Sequence, residues 1–238
     1  AQVAVHGKDW PVRLAYGHDF YMQPAWHPEG KQIAYIAWDH PHMPWDGTLL
    51  YLARLAQTPG CQPQLETPTR VAGGDEISIF QPEFSPDGRT LAYVSDESGW
   101  WQLYLYDLSR GEHRQLTSAA AEHGLAAWNQ GLRSYGFSPD GQSIYFVRSQ
   151  GSLDSLWQVN LHSGQENRIA LDLPYQNLSQ PAVSPDGSRV ALIASAANIP
   201  PRLITVDLRG TTQIWKRSTA EEQDALEYAL PQPMTWTG

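Results

Sequence analysis

Gln81-Pro82-Glu83-Phe84-Ser85-Pro86-Asp87-Gly88-Arg89-Thr90-Leu91-Ala92-Tyr93-Val94 is the stretch on which the fold turns. Its centre, Ser85-Pro86-Asp87-Gly88, is a compact reversal: proline fixes φ near −65° and Asp-Gly tolerates positive φ. On either side lie short runs rich in β-branched and aromatic residues. The same reversal recurs at Ser138–Gly141 and Ser184–Gly187, with a degenerate copy at His27-Pro28-Glu29-Gly30. The four starts lie 58, 53 and 46 residues apart, a spacing that suits one propeller blade of about 40–50 residues per repeat.

The flanks repeat too. Gln23–Trp26, Gln81–Phe84, Ser134–Phe137 and Gln180–Val183 precede the reversals. Gln32–Ile36, Thr90–Val94, Ser143–Val147 and Arg189–Ile193 follow them, apolar on both alternating faces, as strands are when sandwiched between neighbouring sheets. A third run (Leu49–Leu55, Gln102–Leu108, Leu156–Leu161, Arg202–Leu208) and a fourth (Thr69–Ala72, His113–Thr117, Asn167–Ala170, Gln213–Lys216) complete each unit. The expectation is an all-β chain: a β-propeller of four-stranded antiparallel blades, with four complete blades over 21–73, 79–117, 132–170 and 178–217. Residues 1–20, through Gln2–Val5 and Val12–Tyr16, read as the end of a preceding blade, and 218–238 as a lead-in to something else.

Composition agrees and excludes. Ten Trp, 11 Tyr, 18 Pro and 19 Gly fit short strands and tight turns. A net charge of −9 without a Lys/Arg cluster argues against nucleic acid as a partner. The single cysteine, Cys61, can form no intrachain disulfide and reads as a loop thiol. Neither a signal peptide nor an apolar run of roughly 20 residues is visible, so no membrane is expected, and the expected compartment is cytoplasmic.

In a meander the first and third turns of each blade lie at one end of the sheet, and the second turn and the inter-blade connection at the other. The long aromatic loops all fall at that second end: Trp38–Gly47, Gly73–Phe80, Asp96–Trp101 and Ala119–Arg133. Candidate contact residues there are Asp39, His40, His42, Trp45, Asp46, Asp75, Glu76, Trp100, Trp101, Trp128 and Asn129. Loops on a rigid scaffold commonly carry recognition; the alternative for each tryptophan is packing of its loop onto a blade. His40 and His42 with Asp39 and Asp46 lack the separated ligand pairs of a closed zinc site and read as a loop network. Asp75 and Glu76 read as turn residues, or as a seat for a substrate ammonium group. Asp87, Asp140 and Asp186 are turn residues. Gly141-Gln142-Ser143-Ile144-Tyr145 lacks the second glycine of a nucleophile elbow and enters a strand. No catalytic residue, metal site or cofactor is expected.

The repeat resembles that shared by TolB and the prolyl oligopeptidase family. Trp38–Thr48, Glu76–Pro82 and Gly99–Tyr104 are similar to bacterial members close to the acylaminoacyl peptidases and dipeptidyl peptidases. That resemblance implies a seven-bladed propeller ahead of an α/β-hydrolase domain with a Ser-Asp-His triad, the propeller restricting access to peptides. It also implies that Leu230–Trp236 resembles the crossover into that domain. No triad residue carries over. The implied partners are the hydrolase domain and peptide substrates. The alternative is a TolB-like, non-enzymatic interaction scaffold. Four blades alone would also leave apolar end faces, so self-association or closure into a smaller ring is expected.

Overall fold

The computed structural model describes residues 10–56 and 63–219, with single positions at 232, 234 and 236. Cys61, the 2–5 run and most of the 218–238 lead-in lie outside the described residues. Among the described residues every regular element is a strand, and the strands form four antiparallel sheets.

The first sheet holds β1 (Phe20–Trp26), β2 (Gln32–Trp38), β3 (Thr48–Ala56), β4 (Gln64–Leu65) and β5 (Thr69–Gly74). It has five strands rather than the expected four, because Gln64 and Leu65 pair with Ala56 and Leu55 before the chain returns along β5. The second sheet runs β6 (Ile79–Phe84), β7 (Thr90–Ser95), β8 (Gln102–Asp107) and β9 (Glu112–Gln115). The third runs β10 (Tyr135–Phe137), β11 (Ser143–Gln150), β12 (Leu153–Asn160) and β13 (Glu166–Ile169); the fourth runs β14 (Asn177–Val183), β15 (Arg189–Ala196), β16 (Ile199–Asp207) and β17 (Thr212–Arg217). The second, third and fourth are meanders of nearest neighbours; in the first, β5 pairs with β3 rather than with β4. The chain is a section of β-propeller. Ahead of β1, Val12 is a single bridge position and no strand runs over 12–16.

The reversals show why the repeat folds as it does. Ser85 Oγ donates to Asp87 Oδ1 at 2.6 Å and accepts the Thr90 N–H at 3.0 Å, while Asp87 Oδ1 also takes the Arg89 N–H at 3.1 Å. Ser138 with Asp140, and Ser184 with Asp186, repeat the pattern at 2.5 and 2.6 Å. Gly88, Gly141 and Gly187 sit at φ 70°, 67° and 72°, which a side chain would strain. The serine hydroxyl is the first cause that holds each carboxyl below its ordinary range, to about 2 for Asp186. In the degenerate copy, His27 replaces serine and spends its ring on the Gly88 carbonyl of the next blade, 2.8 Å away.

Proximity divides the chain into two units, the boundary passing along β8. Within the first, β1, β2 and β3 pack on β6. Within the second, β14 lies on β10, β11 and β12, and Tyr145, Val147, Leu156 and Ile169 interleave with Leu178, Val190, Leu192, Ala194, Ile204 and Val206. Burial of each such side chain is worth about 2 kcal/mol before chain entropy is subtracted. The second strands β2, β7 and β11 are buried on both faces, as their composition implies. β15 differs: it alternates, and Ile193 is 43% exposed, because nothing among the described residues covers the outer face of the fourth sheet.

Candidate functional site

The first unit brings part of the expected loop cluster together. Asp39 follows β2 directly. Its Oδ2 lies 2.9 Å from His18 Nδ1, and its Oδ1 accepts the Asp19 N–H at 2.7 Å. These bonds, the histidine contact first, hold its carboxyl below the ordinary range. An ionised Asp39 places the His18 proton on Nδ1, leaving Nε2 to accept from the Tyr51 hydroxyl at 3.0 Å. His40 enters through its backbone, donating its N–H to Asp19 Oδ2 at 3.0 Å.

This line of carboxylate, imidazole and hydroxyl has the connectivity of a nucleophile relay. Its hydroxyl is a phenol whose pKa burial pushes up, however, so it braces the loop against β3 rather than attacking a substrate.

Further along the loop, Asp46 Oδ1 accepts the Met43 N–H at 2.7 Å and lies 3.6 Å from His42 Nδ1. Gly47 is required there: a Cβ would collide with the Asp75 carbonyl and meet His42 Nδ1 at 2.9 Å. The loop and the β5–β6 turn therefore touch at residue 47, which puts His42 and Asp46 beside Asp75. Asp75 and Glu76 form the tip of that turn, closed by the Ile77 N–H on the Gly74 carbonyl, with both side chains exposed. Trp45 is 40% exposed, while the carbonyl of Pro44 before it accepts Ser78 Oγ at 2.7 Å. Trp128 is 71% exposed and Asn129 is exposed with it. Next to them, Gln130 is anchored, its Oε1 accepting the Gln23 N–H at 3.1 Å.

The second unit holds Trp100 and Trp101. Trp100 is 42% exposed. Trp101 is gripped through its backbone: its N–H donates to Glu122 Oε2 at 2.9 Å, and its carbonyl accepts both the His123 N–H and the His123 ring, at 2.8 and 2.9 Å. His123 is fully buried, and its other ring nitrogen accepts the Arg148 Nε–H at 2.9 Å. Arg148 pairs with Glu166 and stacks on Trp157, 4.1 Å from the ring centroid. Burial is the first cause that pushes the His123 pKa down to about 4.

Sequence reasoning passed over His18, Tyr51, Glu122, His123 and Arg148. One signal was legible: Arg148 is a charge inside an otherwise apolar run, and a buried charge needs partners. Among the described residues, no three His, Cys, Asp or Glu side chains group closely enough to hold a metal ion.

With this geometry in place, comparison with known proteins is informative. The family model described as the TolB beta propeller domain matches residues 7–225. The chain belongs to that family. Among curated relatives, an uncharacterised peptidase, YuxL, of Bacillus subtilis is 40% identical over 76 residues, 32% of this chain and 10% of that protein. Dipeptidyl-peptidase 5 of Porphyromonas gingivalis is 25% identical over 148 residues, 61% of this chain and 20% of that protein. The Tol-Pal system protein TolB of Xylella fastidiosa is 34% identical over 88 residues, 37% of this chain and 18% of that protein. Among solved structures, a puromycin-hydrolysing peptidase of Mycobacterium tuberculosis superposes with a TM-score of 0.81 at 26% identity, over 93% of this chain and 32% of its own. A puromycin hydrolase superposes at 0.78 with 28% identity, over 90% of this chain and 31% of its own. This TolB propeller chain therefore spans about a third of those peptidases and a fifth or less of these three curated relatives.

Proposed function

We propose that this TolB-type propeller is the non-catalytic part of a serine peptidase of the prolyl oligopeptidase type. In this reading it docks on an α/β-hydrolase domain of the same polypeptide and limits access to peptides. The observation that carries the reading is the fit of nearly the whole chain onto about a third of each puromycin-hydrolysing peptidase. The exposed aromatics Trp45, Trp100 and Trp128 at the long-loop ends of their blades supply contact surface. Asp75 and Glu76 lie exposed beside the Trp38–Gly47 loop and suit a peptide ammonium group. Acyl transfer belongs to the partner domain, and the proposal keeps the cytoplasmic placement expected from the sequence.

The test begins with the coding sequence after Gly238, where a Gly-x-Ser-x-Gly followed by Asp and His is expected. The polypeptide encoded there should cleave short peptide amides, and the 238-residue chain alone should cleave none. Trp45→Ala combined with Trp128→Ala should lower kcat/KM for peptides and weaken domain association at least a few-fold. A stop codon directly after Gly238, or unchanged kinetics and association in the double variant, overturns the reading. A second reading, a protein-binding scaffold, is favoured by the stretch at 34% identity to the Xylella TolB, and a stop codon there would support it.

A further inference from the structure

Three of the four first strands carry Gln-Pro at the same place, at Gln23, Gln81 and Gln180, and all three glutamines have positive φ, at 49°, 48° and 56°. Each marks a one-residue bulge, where the register slips between Met22 and Ala25, between Phe80 and Glu83, and between Ser179 and Ala182. The third blade departs from this. Its β10 is three residues long and pairs only with Phe146, Tyr145 and Ile144, although β11 runs on to Gln150. A segment of the preceding loop takes the vacant place: the Glu122 N–H donates to the Ser149 carbonyl at 3.0 Å, and the Ser149 N–H to the Glu122 carbonyl at 2.8 Å. That bridge is isolated, so the strap over residues 119–125 leans on side chains as well.

His123 is the chief of these. Its Nδ1 lies 2.9 Å from the Trp101 carbonyl, and its Nε2 lies 2.9 Å from Arg148 Nε. A guanidinium can only donate, so Nε2 must accept and Nδ1 must carry the proton. The arrangement is complete only while the imidazole is neutral. The ring is fully buried and packs on Phe146, 5.3 Å between centroids, while Glu166 and Trp157 hold the guanidinium opposite it.

The other charged groups around His123 are Glu122 on the strap, and Arg133 and Asp154, which line with it a cavity of about 30 Å³. Glu122 accepts the Trp101 N–H at 2.9 Å, and Asp154 the Leu178 N–H at 2.8 Å. Burial, the first cause, holds the Asp154 carboxyl above its ordinary range. Asp154 is anchored to β14 rather than to the strap, so its protonation does not pull on the strap. All of these residues lie in the second unit.

We propose that residues 119–125 form an acid-released strap: a proton on His123 Nε2 meets the Arg148 Nε–H and its charge, the strap lets go of β11, and the Trp100–Trp101 turn that it grips is freed. The switch is local, because the sheet beneath keeps its own ladder from Ser143 to Gln150 along β12.

Hydrogen exchange in the 238-residue chain tests this. With the strap open, His123 meets water and titrates near the ordinary 6.5; closed, burial first and then Arg148 hold it at about 4. The opening constant should therefore rise about twentyfold between pH 7 and pH 5. Corrected for the intrinsic pH dependence of exchange, protection of the Trp101, Glu122 and His123 amides should fall by that factor. Opening exposes little surface, so these amides should be less protected than the β11–β12 ladder and, unlike it, indifferent to low urea. In His123→Gln the fall with pH should disappear. Equal protection and equal urea dependence of strap and ladder would mean global unfolding and overturn the proposal. So would strap protection that holds from pH 7 to pH 5, or a fall that persists in His123→Gln. The wild-type measurements decide even where the variant does not fold, and none of them depends on whether the parent is a peptidase.

Discussion

Ser138 and His123 show how much rests on single polar atoms in this chain. The Ser138 hydroxyl, buried in its turn, donates to Asp140 and accepts the Ser143 N–H. Ser138→Ala should therefore cost about 1–2 kcal/mol, read as a lowered urea midpoint with an unchanged slope. His123 predicts a pH dependence. Its folded pKa, about 4, lies below the ordinary 6.5, so between those values the unfolded chain binds more protons and stability falls as pH falls. The loss should reach about 3 kcal/mol near pH 4, and His123→Gln, which keeps a donor and an acceptor but does not titrate, should flatten that part of the profile. A wild-type profile flat from pH 7 to 4 would contradict this. The turn was legible in the sequence because its bonds close within five residues. The His123–Arg148 pair was not, since its partners lie 25 residues apart and meet only after the sheet forms.

At the level of strands, the Gln-Pro bulge divides what can be read locally from what cannot. The repeated flank is plain in the sequence, but its left-handed backbone and its bond to a blade 58 residues away are not. Gln23→Ala should remove the acceptor of the Gln81 N–H and speed hydrogen exchange at that amide, with about 1 kcal/mol lost. Gln81→Gly should leave that bond in place and relax the positive φ, so its exchange rate should hold. Ser134 stands where the third blade would have its glutamine; no proline follows it, and the pairing of β10 with β11 shows no slip. The apolar runs predicted second strands correctly, yet the same reading made β15 buried on both faces. Composition reports that a strand can be covered, not that a neighbour is present to cover it.

For the molecule as a whole, the repeat period was enough to establish a propeller section, because sheets with apolar faces have few ways to pack. The candidate loops were harder to read: their ends follow from strand order, but Asp39 and Asp46 turn out to be occupied with backbone and histidine partners that no spacing announces. One consequence follows for chemical ageing. Four aspartates here precede glycine, at 46, 87, 140 and 186, the pairing most prone to succinimide closure and isoaspartate formation. Closure needs the glycine nitrogen to attack a protonated side-chain carboxyl. In each turn that nitrogen is already donated, to Met43, Ser85, Ser138 or Ser184, and the carboxylate is engaged. The native chain should thus accumulate isoaspartate far more slowly than the urea-unfolded chain, by peptide mapping after prolonged storage. The reversals that build the blades also keep their own backbone from rearranging with time.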